Sequence, residues 1–415
     1  MPIRWIYNLL LYFITPFILL RVAWRSLKEP DYKTKLMQRF GFVSESSKNP
    51  IWVHAVSAGE TIAAVPLVKR LLAQGHSVLM SGMTPTGKDR AEVLLGDQIQ
   101  YCYAPYDLPG SIKRFLRTVQ PKALIIIDTE LWPNMLHYSH QFGIPIYLVN
   151  ARLSKKSAAG YLKYQRLSRP MMNTLRRVYA QSEKQGERFL TIGLNKSKLA
   201  VPGSIKFDAQ LPKDFESRLN VLRKIFNNQF CFLAASTHPG EEEKILEAFA
   251  QISSDKKPIL ILAPRHTHRT VEVYKLCKNL GYTIQRHSEG KPFDSAIYLL
   301  DTMGELIYFY GLAGAAFVGG SLVDVGGHNP MEPGSLGVPM MMGMHTRNID
   351  DIAEQFIEAG AMVRITDQAS LNHTVSMLCS DDELRREMSA ASISVMEKNK
   401  GALDIIESEI VENLR

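Results

Sequence analysis

Residues 317–343 read FVGGSLVDVGGHNPMEPGSLGVPMMMG. An apolar strand, Ala315–Val318, runs into paired glycines and then into a His-Asn-Pro-X-Glu-Pro turn. That turn is predicted to open a helix with Pro330 in its first turn, and a second apolar run, Val338–Met342, follows at once. Glycines let backbone approach a ligand, and proline suits the start of a helix. The helix N-terminus presents unpaired N–H groups and a positive dipole end, which favours phosphate. Glu332, one turn in, repels phosphate, so a ribose hydroxyl is its expected partner. The segment reads as a nucleotide-sugar site. A glycine- and proline-rich connection without a ligand is the other reading at this point.

Working outward, short apolar runs alternate with amphipathic stretches, twice. The first half has Ile51–Val56, Val78–Met80, Gln100–Ala104, Ala123–Ile127, Ile144–Val149 and Val178–Ala180. The second has Phe230–Ala234, Ile259–Leu262, Thr283–Gln285, Ala296–Leu300, Ala315–Val318, Val338–Met342 and Met362–Ile365. Helical patterns such as Glu60–Gln74 and Ser111–Val119 lie between them. Strands alternating with helices predict parallel, doubly wound α/β sheets. The two sets, divided near Asp208–Asp214, predict two Rossmann-like domains facing a cleft. Expected borders are residues 1–28 for an N-terminal apolar segment, 29–207 and 208–395 for the domains, and 396–415 for a final helix. Ligands of open α/β sheets bind beyond the carboxyl ends of the strands, and the motifs below fall there.

Composition fits this. The chain has 415 residues, 46% hydrophobic and 22% charged, as expected of full-sized cores. Cys102, Cys231, Cys277 and Cys379 are scattered, which argues for a reducing compartment and against a structural zinc site. A net charge of +8 favours an anionic partner. Between Arg4 and Arg21 lie 16 uncharged residues, WIYNLLLYFITPFILL. That is short for a span of roughly 20 residues, and no cleavage site follows it. Trp5, Tyr7, Tyr12 and Trp24 suit a membrane interface, and Arg21, Arg25 and Lys28 can reach anionic headgroups. Membrane attachment is expected, whether spanning or lying flat.

Several strand ends carry chemistry. In His54–Glu60 a small-residue turn places Glu60 at a helix start. There it is either a general base or a dipole-stabilising first-turn residue, and the dipole is expected to lower its pKa. Asp128 and Glu130 follow the most apolar strand of the first half. Period-two geometry puts them on one side, where they suit a metal, a sugar or a helix cap. Residues 152–177 hold eight basic and no acidic residues. They read as a phosphate surface or a solvated helix face, and nucleic acid would use the same ingredients. No base-stacking face accompanies them, so nucleic acid is not the expected partner. Lys206 ends the first half. In the second half, Ser236–Glu243 opens a helix with acidic residues in its first turn. Arg265 follows a strand and suits phosphate, while His266 and His268 lack a third metal ligand. Gly304 offers backbone N–H groups to a base or ribose, and Glu305 either caps a helix or meets the ligand.

Together IWVHAVSAGE, TPTGKDRA, APYDLP, DTELWPN, NARLS, GSIKFD, STHPGEEE, LAPRH, DTMGEL and FVGGSLVDVGGHNPMEP resemble the bacterial 3-deoxy-manno-octulosonic acid (Kdo) transferases. The resemblance implies a GT-B glycosyltransferase, inverting and metal-independent, that moves Kdo from CMP-Kdo to a lipid A precursor, lipid IVA. It also implies no cofactor and a place at the cytoplasmic face of the bacterial inner membrane, on an anionic surface. It implies Glu60 as general base, with Glu130 and Lys206 stabilising the transition state. It implies CMP held by Pro264, Arg265, Met303, Gly304, Glu305, Asn329, Pro330, Met331 and Glu332. Ser57, Arg152, Arg166 and Arg169 are then the acceptor-binding candidates, and the metal reading of Asp128 and Glu130 falls away. Gly334-Ser335 departs from relatives, which have alanine-like residues there. Another GT-B transferase of the bacterial envelope is the competing reading, and APYDLP, DTELWPN and GSIKFD argue against it.

Overall fold

The computed structural model describes residues 2–27, 35–44, 49–208, 211–252, 258–291 and 293–414; Lys28 and two residues of the expected border, Ala209 and Gln210, lie outside them. The chain forms two compact units, Met1–Gln210 with Lys400–Arg415, and Leu211–Asn399. Residues 396–398 finish the second unit's helix Asp382–Lys398, so the chain rejoins the first unit a little later than the pattern suggested.

The first unit is built on β1 (Ile51–His54), β2 (Val78–Gly82), β3 (Gln100–Tyr103), β4 (Ala123–Ile127), β5 (Ile146–Ala151), β6 (Arg177–Ala180) and β7 (Leu199–Ala200). They form a parallel sheet in the order β3-β2-β1-β4-β5-β6-β7. Helices cover both faces, which explains why β1, β4 and β5 are apolar and wholly buried. Alternate residues serve the two faces: Trp52, Leu124 and Ile126 join one core, and Ile51, Val53 and Ile125 the other.

The second unit carries β8 (Cys231–Thr237), β9 (Ile259–Pro264), β10 (Ile284–Arg286), β11 (Ile297–Leu299), β12 (Ala315–Val318), β13 (Met340–Met342) and β14 (Met362–Arg364). Its sheet is also parallel, in the order β10-β11-β9-β8-β12-β13-β14. Each sheet reverses its winding once, between β1 and β4 and between β8 and β12. The carboxyl ends beside these switch points are where open sheets bind ligands.

The N-terminal helix, Pro2–Arg25, is 24 residues with Pro16 inside it. Arg4–Trp24 is long and apolar enough to cross a membrane. The helix is longer than its uncharged core, at ~36 Å against a hydrocarbon thickness of about 30 Å. One stripe of it, Tyr7, Asn8, Leu11, Thr15, Ile18 and Val22, is partly covered, while Trp5, Leu9, Phe13, Phe17 and Leu20 are exposed. Tyr7 donates to Asp107 at 2.9 Å, and Asn134 donates to Asn8 at 2.7 Å.

The last helix, Ala402–Glu412, packs on Ala58–Ala73 of the first unit. Leu403, Ile406 and Ile410 are almost wholly buried, each worth about 1.5–3 kcal/mol. Asp208 accepts the N–H groups of Gly401 and Leu403 at 2.7 and 2.8 Å, and Glu409 accepts from Arg177 at 3.0 Å and Tyr179 at 2.9 Å. Removing Glu409 leaves the buried Tyr179 hydroxyl without its partner, a cost of ~2 kcal/mol. The apolar contribution is larger, so Glu409→Ala is expected to keep the helix docked while lowering Tm by about 4–8 °C in a thermal melt.

Candidate active site

In the first unit the site grows from the ends of β1, β4 and β5. After β1 the chain turns through Val56 and Ser57 into the helix Ala58–Ala73. Ser57 caps that helix by accepting the Glu60 N–H at 3.3 Å, and its hydroxyl donates to Glu60 Oε1 at 2.9 Å. The Val56 N–H donates to Oε2 at 2.7 Å. Glu60 is therefore held by both oxygens at a fixed place, and Ser57 spends its hydroxyl proton on it. Burial raises the Glu60 carboxyl to about 7. The Val56 and Ser57 hydrogen bonds oppose that rise, and the charges of Asp128 and Glu130 add to it. The expected lowering by the helix dipole is overturned, because desolvation and like charge outweigh a partial dipole charge.

Asp128 corrects a second expectation. Strand β4 ends at Ile127, and Asp128 takes the left-handed conformation at φ 61°, so period-two geometry does not apply to it and Glu130. Its carboxylate accepts from Asn150 Nδ2 at 2.6 Å and pairs with Arg152 at 3.4 Å. Asn150, at φ 59°, in turn accepts from the Ser204 hydroxyl at 2.9 Å. This buried chain ties β4 and β5 to the short turn Ile205–Asp208 that carries Lys206, and Asp208 pins that turn's other end to the last helix. Lys206 thus stands on a rigid turn, half-buried.

Glu130 accepts from Trp132 Nε1 at 2.8 Å, and burial raises its carboxyl, as does Asp128. The Trp132 ring meets His54 edge-on, 4.8 Å between centroids. His54 is fully buried, 2.9 Å from Ser81 Oγ, and burial pushes its pKa down to about 3, so it is neutral. Trp132, His54 and Asn150 received no role from the sequence. The αL tolerance of asparagine after a strand was the available signal for Asn150.

The basic stretch separates into parts. Arg152 pairs with Asp128, Arg177 with Glu409, and Arg176 with Asn413. Lys155, Lys156, Lys163, Arg166 and Arg169 are exposed on the helices Lys155–Lys163 and Gln165–Thr174. Arg152 thus joins the Glu60 group through Asp128, while Arg166 and Arg169 stand exposed on their helix.

In the second unit the loops after β8, β9 and β12 converge. Gly319 packs so closely on Ser236 that an added Cβ would stand 2.4 Å from the Ser236 carbonyl oxygen. Buried Glu241 accepts N–H groups from His238, Gly320, Ser321 and Leu322 at 2.8–2.9 Å. It is the organiser of the glycine loop, beyond the first-turn role expected of it. Glu242, equally buried, accepts from Thr237 and Arg269, both at 2.8 Å. His238 and His328 meet Nε2 to Nε2 at 2.8 Å, and burial followed by the Arg265 charge pushes His328 down to about 4. Pro264 ends β9, and the exposed Arg265 is fixed by its N–H donating to the Thr237 carbonyl at 3.0 Å. Burial raises the Glu332 carboxyl, and Arg265 acts against that rise.

Two details differ from expectation. Pro330 is the N-cap, and the helix Met331–Ser335 spans only five residues, so its dipole is small; Asn329 Oδ1 accepts the Met331 N–H at 3.0 Å. Glu305 stands at the N-cap of the helix Leu306–Leu312, where its carbonyl accepts the Tyr308 N–H at 3.0 Å, but its carboxylate makes no cap bond because Arg218, His287 and Thr302 hold it. Gly304, between Met303 and Glu305, takes the left-handed conformation at φ 84°. Gly334 is explained by packing, since an added Cβ would stand 2.7 Å from the Phe356 ring.

The sequence profile of the family described as 3-Deoxy-D-manno-octulosonic-acid transferase (kdotransferase) matches residues 34–209. A 3-deoxy-D-manno-octulosonic acid transferase of Haemophilus influenzae is 37% identical over 410 residues, covering 96% of each chain. Another, of Bordetella pertussis, is 34% identical over 419 residues, again 96% of each. The fold matches a UDP-GlcNAc 2-epimerase of Neisseria meningitidis bound to UDP-GlcNAc, with a TM-score of 0.61 at 14% identity over 88% of this chain and 100% of that one.

Proposed function

Because the chain belongs to the Kdo transferase family of glycosyltransferases, we propose that it transfers Kdo from CMP-Kdo to the lipid A precursor, lipid IVA, with inversion and without a metal. The observation that carries the mechanism is the placement of Glu60 at the switch point of the first sheet, its carboxyl ionising near neutrality beside Glu130. An acceptor hydroxyl attacks the anomeric carbon of Kdo from the face opposite the phosphate. Glu60 takes the hydroxyl proton as the new C–O bond forms. The bond from the anomeric carbon to the phosphate oxygen breaks, its electron pair leaving with CMP. Arg265 and the N–H groups of the glycine loop meet the departing phosphate charge. Glu332 suits the ribose, and the backbone of Met303–Glu305 the base. Glu130 and Lys206 stabilise charge at the reacting carbon. The N-terminal helix holds the enzyme at the cytoplasmic face of the inner membrane, where its lipid acceptor lies.

The test is incubation of purified protein with CMP-Kdo and lipid IVA in the presence of EDTA, following CMP release and product mass. A Kdo-sized mass gain at an undiminished rate is expected, and the number of such gains counts the additions. No transfer by folded protein, or loss of the rate with EDTA, would contradict the reading.

A further inference from the structure

The helices Lys155–Lys163 and Gln165–Thr174 enclose a groove that the catalytic reading leaves unused. Its walls are Gly160, Tyr161, Tyr164, Leu167 and Met171, its volume is about 370 Å³, and it opens to solvent along one side. Tyr164 is 59% exposed at its edge. An apolar trough on a surface otherwise rich in charge suits an apolar occupant.

Three observations identify the occupant. Lys155, Lys156, Lys163, Arg166 and Arg169 all project from these two helices, and none makes an ion pair among the described residues. The sequence holds no aspartate or glutamate from Leu131 to Ser182. The matching ligand therefore joins a hydrocarbon part to anionic groups. Tyr161, a wall of the groove, is near enough to Glu130 for that carboxylate's charge to add to burial in raising the tyrosine hydroxyl. On its other side the N-terminal helix, with its exposed apolar face, packs on Gln165–Thr174.

We propose that this groove takes an acyl chain of the acceptor lipid, with the surrounding lysines and arginines taking its phosphates. The inference rests on the reading of the acceptor as an acylated, phosphorylated sugar. The chain enters along Tyr164 and Leu167.

Gly160 offers a clean test. It lines the groove and is helical with φ outside the left-handed region, and an added Cβ meets nothing within 4 Å, so the backbone tolerates a side chain there and Gly160→Trp sets an indole at the groove. Kinetics are measured in neutral detergent micelles with lipid IVA and, separately, with its deacylated, still phosphorylated sugar. The micelle already holds the tail out of water, so excluding it from the groove forfeits packing contacts rather than transfer from water, on the order of 1 kcal/mol or about fivefold in KM. The expected result is a KM for lipid IVA raised about fivefold, with kcat and the KM for the deacylated acceptor unchanged. An unchanged KM for lipid IVA would overturn the assignment, as would equal losses on both acceptors. A loss confined to binding of anionic phospholipid vesicles would assign the groove to bulk lipid and overturn it too. Wild-type protein that uses neither acceptor would sink the underlying acceptor reading, a result distinct from these.

Discussion

Replacing Glu60 with glutamine is expected to lower kcat by about 10³-fold while leaving the fold intact. Loss of a positioned general base typically costs 10²–10⁴. Glutamine keeps the shape and can still accept one of the two hydrogen bonds from Val56 and Ser57. The effect on stability has the opposite sign. The carboxyl is raised to about 7 in the fold, above its ordinary 4.5. A carboxyl raised on folding binds its proton more tightly in the native state, so the fold loses stability as pH climbs from about 4.5 to 7. At pH 8 the native chain carries that penalty, and the glutamine variant does not. Its Tm at pH 8 should equal or exceed that of the wild type. A variant that is inactive because it is unfolded would fail this measurement.

The second large effect is expected at Glu241, far along the chain from the base. Its carboxylate is fully buried and satisfies four backbone N–H groups of residues 238 and 320–322. Alanine removes all four acceptor contacts at once. Each unpaired buried group costs about 1–3 kcal/mol, and water entering the vacated space recovers part, which leaves a net cost of ~4 kcal/mol. For a unit of this size that corresponds to a Tm lower by about 8–16 °C. The Gly319–His328 loop loses its shape with it, so CMP binding should weaken tenfold or more in calorimetry. Glu243 next to it gives the contrast. It only accepts the Gly240 N–H at 3.1 Å at the helix start, and Glu243→Ala should cost ~1 kcal/mol or less.

These three adjacent glutamates show what the sequence could and could not reveal. Read in a row, Glu241, Glu242 and Glu243 are acidic residues in a first turn, a local rule that applies fully only to Glu243. Glu241 reaches a loop some 80 positions later and Glu242 reaches Arg269, and such pairings exist only once the sheet has formed. The strands were legible because buried parallel strands are continuous apolar runs. Strand β7 was not, because Leu199–Ala200 is a two-residue edge with partly exposed side chains. The strand-end motifs were legible as glycine, proline and acidic signals. The conformation of Asp128 was not, since only the Asn150 and Arg152 contacts explain why it turns left-handed. Nor was the direction of the Glu60 shift, which depends on how much protein surrounds it rather than on its place in a helix.

The pH dependence of kcat/KM for the acceptor tests the proposed base most directly, because this ratio reports ionisations of the free enzyme and free substrate. Measured from pH 5 to 9 on wild type and Glu60→Gln, the wild type should rise through an apparent pKa of about 7 and then level off. The glutamine variant should be slow and show no such limb. A wild-type profile with no titration between about 6 and 8, or the same limb persisting in the variant, would contradict the assignment of Glu60 as the base.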